Sequence, residues 1–102
     1  MMAASRFEKA VYSACVRIPK GRVSTYSAIA WAIGKPGASR AVGNALNRNP
    51  FKGVPCHRVV RSDGTVGGFA HGTARKVAML LKEGVRVENG KVAGFGRLLK
   101  KL

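Results

Sequence analysis

A chain of 102 residues, 46% of them apolar, can build one hydrophobic core and is too short for two. Nineteen Lys and Arg against four acids leave a formal charge of +15, far beyond what solubility requires. That balance points to a polyanionic partner, nucleic acid first, with a generic basic surface of the ribosomal or membrane-associated kind as the alternative. No apolar run approaches the ~20 residues of a membrane span, and Arg6 and Glu8 arrive where a signal peptide needs an apolar core. Cys15 and Cys56 stand far apart without paired spacing, which argues against a disulfide framework and a zinc knuckle. A cytoplasmic protein, nucleoid-associated if prokaryotic, with no metal and no cofactor, is expected.

Ser5-Arg6-Phe7-Glu8 has the form of a capping box, and Phe7, Val11, Ala14, Cys15 and Ile18 follow at helical spacing. This predicts a first helix over about Ser5 to Arg17 with Cys15 on its core face. Pro19-Lys20-Gly21 breaks it, and Ser24 or Thr25 can cap a second helix that turns Ile29, Ala30 and Ile33 inward and stops at Gly34. After the turn Lys35-Pro36-Gly37, Ala38 to Asn47 reads as a third helix packed through Ala41, Val42, Ala45 and Leu46. Thr25 to Asn47 therefore has the outline of a helix-turn-helix. Gly37, Ala38, Ser39, Ala41, Gly43 and Ala45 leave the third helix nearly bare of bulky groups, with Arg40 alone among them. Such a helix can press closely against a neighbouring element or into a DNA groove.

The stretch Asn49 to Val60 places Cys56 between Pro55 and the pair His57-Arg58, whose positive charge would favour the thiolate. The other reading is a small buried hydrophobe. Val59-Val60, Ser62-Asp63-Gly64 and Thr65-Val66 suggest a short hairpin, and Gly67 to Gly72 a loop. Thr73 can cap a fourth helix through Lys82, with Val77, Leu80 and Leu81 apolar and Gly84 as its stop. Val85 to Val87 and Lys91-Val92, around Glu88-Asn89-Gly90, predict a second hairpin. The basic tail from Arg97 to Leu102 reads as a solvated end. Glu83 is the acid that local rules do not place, because negative charge is disfavoured in a last helical turn. It can orient a histidine, or form a surface ion pair with Lys82 or Arg86.

Pro55-Cys56-His57-Arg58-Val59-Val60 and Arg40-Ala41-Val42-Gly43 together resemble the O6-alkylguanine-DNA alkyltransferases, which move an alkyl group from guanine onto their own cysteine. The resemblance spans about Phe7 to Glu83 and corresponds to the family's carboxy-terminal catalytic domain, the amino-terminal domain of many members being absent. It implies a mainly α, winged helix-turn-helix-type single domain with small β hairpins, monomeric, acting on O6-alkylguanine in duplex DNA from the minor groove. Cys56 would be the nucleophile, His57 and Glu83 its relay through a water, and Asn49 the brace of the turn. Tyr26 would help rotate the nucleotide and protonate the leaving guanine, and Arg40 would fill the vacated stack. Ser39, Ala41, Gly43 and Asn44 complete the implied DNA face, and Val59, Ser62, Phe69, Ala70 and His71 the base pocket. Phe69 departs from a common tyrosine, and Ala70 and His71 from small or hydroxyl residues in the loop over the pocket, so the resemblance does not fix the lesion range. The related alkyltransferase-like proteins usually carry tryptophan in place of the cysteine and flag lesions without repairing them. Cys56 is present here, which favours transfer.

Overall fold

The computed structural model describes residues 4–68 and 72–102. Its first helix, α1 (Arg6–Val16), begins at a complete capping box: the Ser5 hydroxyl accepts from the Glu8 amide at 3.0 Å and the Glu8 carboxylate from the Ser5 amide at 2.9 Å. Val11, Ala14 and Cys15 face inward as their spacing predicts; Tyr12, outside that pattern, is buried too, and its hydroxyl donates to the Ala45 carbonyl at 2.7 Å. That bond ties α1 to a helix 33 positions further on.

Ser24–Thr25 forms β1, and Thr25 then caps α2 (Tyr26–Ala32) by accepting from the Ala28 amide. Gly34, at φ +79, ends α2 in a left-handed turn that lets the Lys35 amide reach the Ala30 carbonyl. The chain re-enters helix as α3 (Ser39–Asn47), which buries Val42, Ala45 and Leu46. Ala41, expected on the packed face, is exposed, because the 3.6-residue period carries it past the stripe formed by the other three.

A single 3-10 turn, Cys56–Arg58, leads into β2 (Val59–Val60). β2 does not fold back on Thr65-Val66 as a hairpin. It pairs in parallel with β1, Ser24 opposite Val59 and Thr25 opposite Val60. The physical reason is burial on both faces: Val59 enters the cluster made by α1, α2 and α3, while Val60 enters a second cluster with Val23, Val66, Leu80, Val85 and Val92. The turn after β2 is closed by the Arg61 amide donating to Thr65 O, but Thr65 bridges onward to Lys91.

In α4 (Thr73–Lys82) the N-cap is Gly72 and Thr73 is the first helical residue, so the expected threonine cap is absent. Leu81, expected in the core, is 59% exposed, and Lys76 is fully buried in its stead. The wing is β3 (Val87–Glu88) paired antiparallel with β4 (Lys91–Val92). Asn89 and Gly90 both have positive φ, as a two-residue hairpin turn requires. The short α5 (Phe95–Leu98) follows. The segment beyond it is not a free end: Val23 bridges Leu99, the Arg22 guanidinium donates to Leu98 O and Leu99 O, and the Ser24 hydroxyl donates to Lys100 O. Among the described residues, five α-helices and two small strand pairs thus make a winged helix-turn-helix with the cysteine turn at the seam of its two clusters.

Candidate active site and nucleic-acid interface

Asn49 holds the cysteine turn in shape. Its side-chain oxygen accepts from the Phe51 amide at 2.9 Å, and its NH2 donates to Phe51 O at 2.9 Å and to Cys56 Sγ at 3.1 Å. The Cys56 thiol is held below its ordinary pKa, first by the Cys15 thiol as hydrogen-bond donor, with burial opposing and Asn49, a backbone amide and the Lys76 charge adding. Cys15, fully buried, is pushed far up by the same contact and by burial, so it remains a protonated donor. His57 and Arg58, expected to charge Cys56 from the adjacent positions, turn elsewhere. A 3-10 turn rotates successive side chains by about 120°, not the alternation of an extended segment, and both are aimed at Glu83.

Glu83 is the C-cap of α4 and receives both groups. The Arg58 guanidinium engages it with two bonds, 3.0 Å to Oε1 and 2.6 Å to Oε2, and also donates to Ile18 O at 2.9 Å. His57, 7% exposed, places Nε2 3.1 Å from Glu83 Oε2. The approach is within ion-pair distance but off the line of a straight N–H···O bond, which leaves Nε2 without a well-aligned partner. Burial would raise the Glu83 pKa, yet the Arg58 hydrogen bonds and then the close His57 imidazole outweigh it, and the carboxyl is held below its usual range. The partner is thus Arg58, not Lys82 or Arg86, and Arg86 lies near Glu88 at 3.6 Å.

Lys76 gives no signal in the sequence, and it occupies the centre. Its Nζ donates to Val59 O at 2.7 Å and Gly68 O at 3.1 Å, and stands 3.4 Å from the Tyr26 hydroxyl. Burial pushes it down to about 8. One feature could have revealed it: Lys76 falls four residues before Leu80, on the inward stripe of α4. Val59 O, implied as a base contact, therefore already accepts one bond. Tyr26 lies half-buried at the start of α2, its phenol raised by burial, and its ring is 3.8 Å from where a Cβ on Gly43 would sit. Gly43 thus packs under Tyr26 and lets α3 approach α2 closely.

On the outer side of α3, Arg40, Ala41 and Asn44 are exposed together, while Ser39 is half-buried with its hydroxyl 3.1 Å from that of Ser27. Ser27 in turn meets Ser62 at 3.1 Å, so three hydroxyls link α3, α2 and the turn after β2. A groove of about 790 Å³ opens beside Cys56, with Phe51, Val54, His57, Arg75 and Met79 on its walls. Phe69, Ala70 and His71 lie outside the described residues. Among those described, no helix is long and apolar enough to cross a membrane.

Fold and site together define a winged helix-turn-helix domain that presents an activated, hydrogen-bonded cysteine beside an exposed, small-residue helix. The family described as "6-O-methylguanine DNA methyltransferase, DNA binding domain" matches residues 6–85. The chain belongs to that family. It is 50% identical over 78 residues to a methylated-DNA--protein-cysteine methyltransferase of Methanosarcina barkeri, covering 76% of this chain and 49% of that protein. The Salmonella typhimurium protein of the same name is 46% identical over 79 residues, covering 76% and 46%. The chain spans about half the length of these curated relatives. Among solved structures, S. pombe Atl1 in complex with damaged DNA containing O6-carboxymethylguanine superposes with a TM-score of 0.86 at 34% identity, covering 99% of this chain and all of that one. Mycobacterium tuberculosis OGT in complex with DNA gives 0.77 at 41% identity, covering 82% and 52%.

Proposed function

We propose that this chain is a monomeric catalytic domain that binds duplex DNA from the minor groove, rotates an O6-alkylated guanine out of the stack, and transfers its alkyl group to Cys56. The observation that carries the reading is the thiol itself, which accepts a hydrogen bond from Asn49 at 3.1 Å and opens on a groove lined by its own turn and by residues of α1, α3 and α4. Flipping is needed because the alkyl carbon is inaccessible within the stack. Arg40 fills the gap, and Ser39, Ala41, Gly43 and Asn44 belong to the helix that lies along the groove.

The thiol proton leaves to His57 through a water, and Glu83, held ionised, stabilises the imidazolium. The thiolate then attacks the alkyl carbon, an S–C bond forms, the C–O6 bond breaks, and the electron pair leaves with the guanine, which takes a proton from Tyr26. Val59 and Ser62 border the base. The thioether is not cleaved, so each molecule acts once. No cofactor enters the reaction.

The intact mass of the protein after exposure to a duplex bearing O6-methylguanine tests this. One methyl on Cys56 is the expected result, and an unchanged mass with retained binding would overturn it. That second outcome defines the other reading, a lesion-binding protein without transfer. Its support is the structural likeness to S. pombe Atl1, at a TM-score of 0.86.

A further inference from the structure

Lys76 is fully buried, and its Nζ meets three oxygens from three different segments: Val59 O of β2, Gly68 O of the glycine loop and Tyr26 Oη of α2. An ammonium has three hydrogens and no lone pair. Each hydrogen has one acceptor here, so the Tyr26 oxygen must receive and its own hydrogen must point away from Nζ. The ammonium also lies 5.7 Å from the centroid of the Tyr26 ring. We propose that Lys76 is a positioning residue for the transfer step: as an ammonium it turns the Tyr26 hydroxyl hydrogen toward the flipped guanine and steadies the phenolate left when that hydrogen departs.

This inference rests on the transfer reading above and adds a pH switch to it. A neutral amine keeps two hydrogens, which suffice for the shorter bonds to Val59 O and Gly68 O, and gains a lone pair. Tyr26 then donates to Nζ, and the acid is withdrawn from the guanine. The groups that set the switching point come from every side. Burial brings Lys76 down to about 8, with Arg61, in the turn after β2, pushing the same way; Cys56 on its turn and Cys15 on α1 push upward. Tyr26 itself, from α2, is raised by burial and so remains protonated across the same interval. The electrons balance as before: S–C forms, C–O6 breaks, the guanine gains the Tyr26 proton, and the phenolate faces the ammonium.

The test compares two reactions of Cys56 from pH 6 to 10. Single-turnover methyl transfer from an O6-methylguanine duplex needs a protonated leaving group, whereas alkylation by iodoacetamide expels iodide and needs none. Wild-type transfer should fall about tenfold per pH unit above about 8, while iodoacetamide labelling does not fall. Lys76→Gln should slow transfer at neutral pH by roughly tenfold to a hundredfold and abolish the descending limb, while iodoacetamide labelling slows far less, because it loses only the Lys76 charge near the sulfur. Tyr26→Phe should slow transfer similarly and show no limb, which keeps the test available if Lys76→Gln does not fold. A limb that persists in Tyr26→Phe, or a Lys76→Gln protein slowed equally in both reactions, would overturn the inference and leave the transfer reading standing. A wild-type protein labelled by iodoacetamide but never methylated would remove the transfer reading, and this inference with it.

Discussion

Helices α3 and α4 are near in length and poor in acids, yet they use their charge in opposite ways. On α3, Arg40 stands in solvent beside Ala41 and Asn44, and the buried residues are Val42, Ala45 and Leu46. On α4 a lysine takes a core position while Leu81 is 59% exposed. A charge in water costs little and acts at long range, which suits a surface that meets a polyanion. A charge in the interior is tolerated only where hydrogen bonds replace its hydration, and for that reason it fixes the groups around it. On the proposed function the outer helix grips and the inner one positions.

Substituting Cys56 separates these roles most sharply. Cys56→Ala should end methyl transfer completely and leave duplex affinity unchanged, read by intact mass and fluorescence anisotropy. Joint loss of both would make the cysteine a structural residue and erase the distinction.

The next effect belongs to Lys76. Its pKa is about 8 in the folded chain against 10.5 ordinarily, so between those values the unfolded chain holds a proton that the folded one has released. Wild-type stability should therefore climb with pH across that window, by up to roughly 3 kcal/mol relative to Lys76→Met, in urea titrations at pH 7 and pH 10. A constant difference between the two proteins would mean that the lysine does not titrate there.

Glu83→Gln should lower stability by roughly 2 kcal/mol at neutral pH, since an amide cannot accept both Arg58 bonds as a carboxylate does. The native carboxyl is held below the unfolded value of 4.5, so its contribution is present above that value and fades as the pH drops through the depressed one. Melting temperatures of the two proteins should converge in acid. Parallel curves from pH 7 to pH 3 would return Glu83 to a marginal role.

Arg40→Ala should have the smallest effect, about 1 kcal/mol or somewhat more in duplex affinity, and less on single strands, where no stack is vacated. Equal losses on both substrates would show a phosphate contact and no insertion.

Much of this arrangement is legible in the residues. The capping box at Ser5 and Glu8, the helix-turn-helix from Thr25 to Asn47 and the Asn89-Gly90 wing follow from short-range rules, and all three form. What escapes those rules depends on distant partners. Two-residue strands such as Ser24–Thr25 have no period to detect, and Val59-Val60 reads equally well as hairpin or as buried parallel strand. The environment of Cys56 misleads a linear reading in the same way: the neighbours in sequence, His57 and Arg58, serve Glu83, while Asn49, 7 positions earlier, bonds to the sulfur and Cys15, 41 positions earlier, lowers its pKa. Lys76 looks like any surface lysine until Val59 O and Gly68 O are seen beside it. The segment after Arg97 reads as polar and is held by Arg22 through backbone carbonyls, which composition does not reveal.

The β1–β2 pair also bears on how the protein comes to be folded. Its contacts join Ser24 to Val59, and its outer edge is completed by Val23 and Arg22 bonding across 75 or more positions to Leu98, Leu99 and Lys100. Local helices form in microseconds, whereas such distant pairings must first overcome the entropy of closing a long loop. A nascent chain would thus assemble its helix-turn-helix early on the ribosome, and the strand behind Cys56 would stay incompletely supported until the residues near 100 had emerged. The turn that carries Cys56 would then be among the last parts to be supported, and on the proposed function the grip on DNA would precede the reactive thiol.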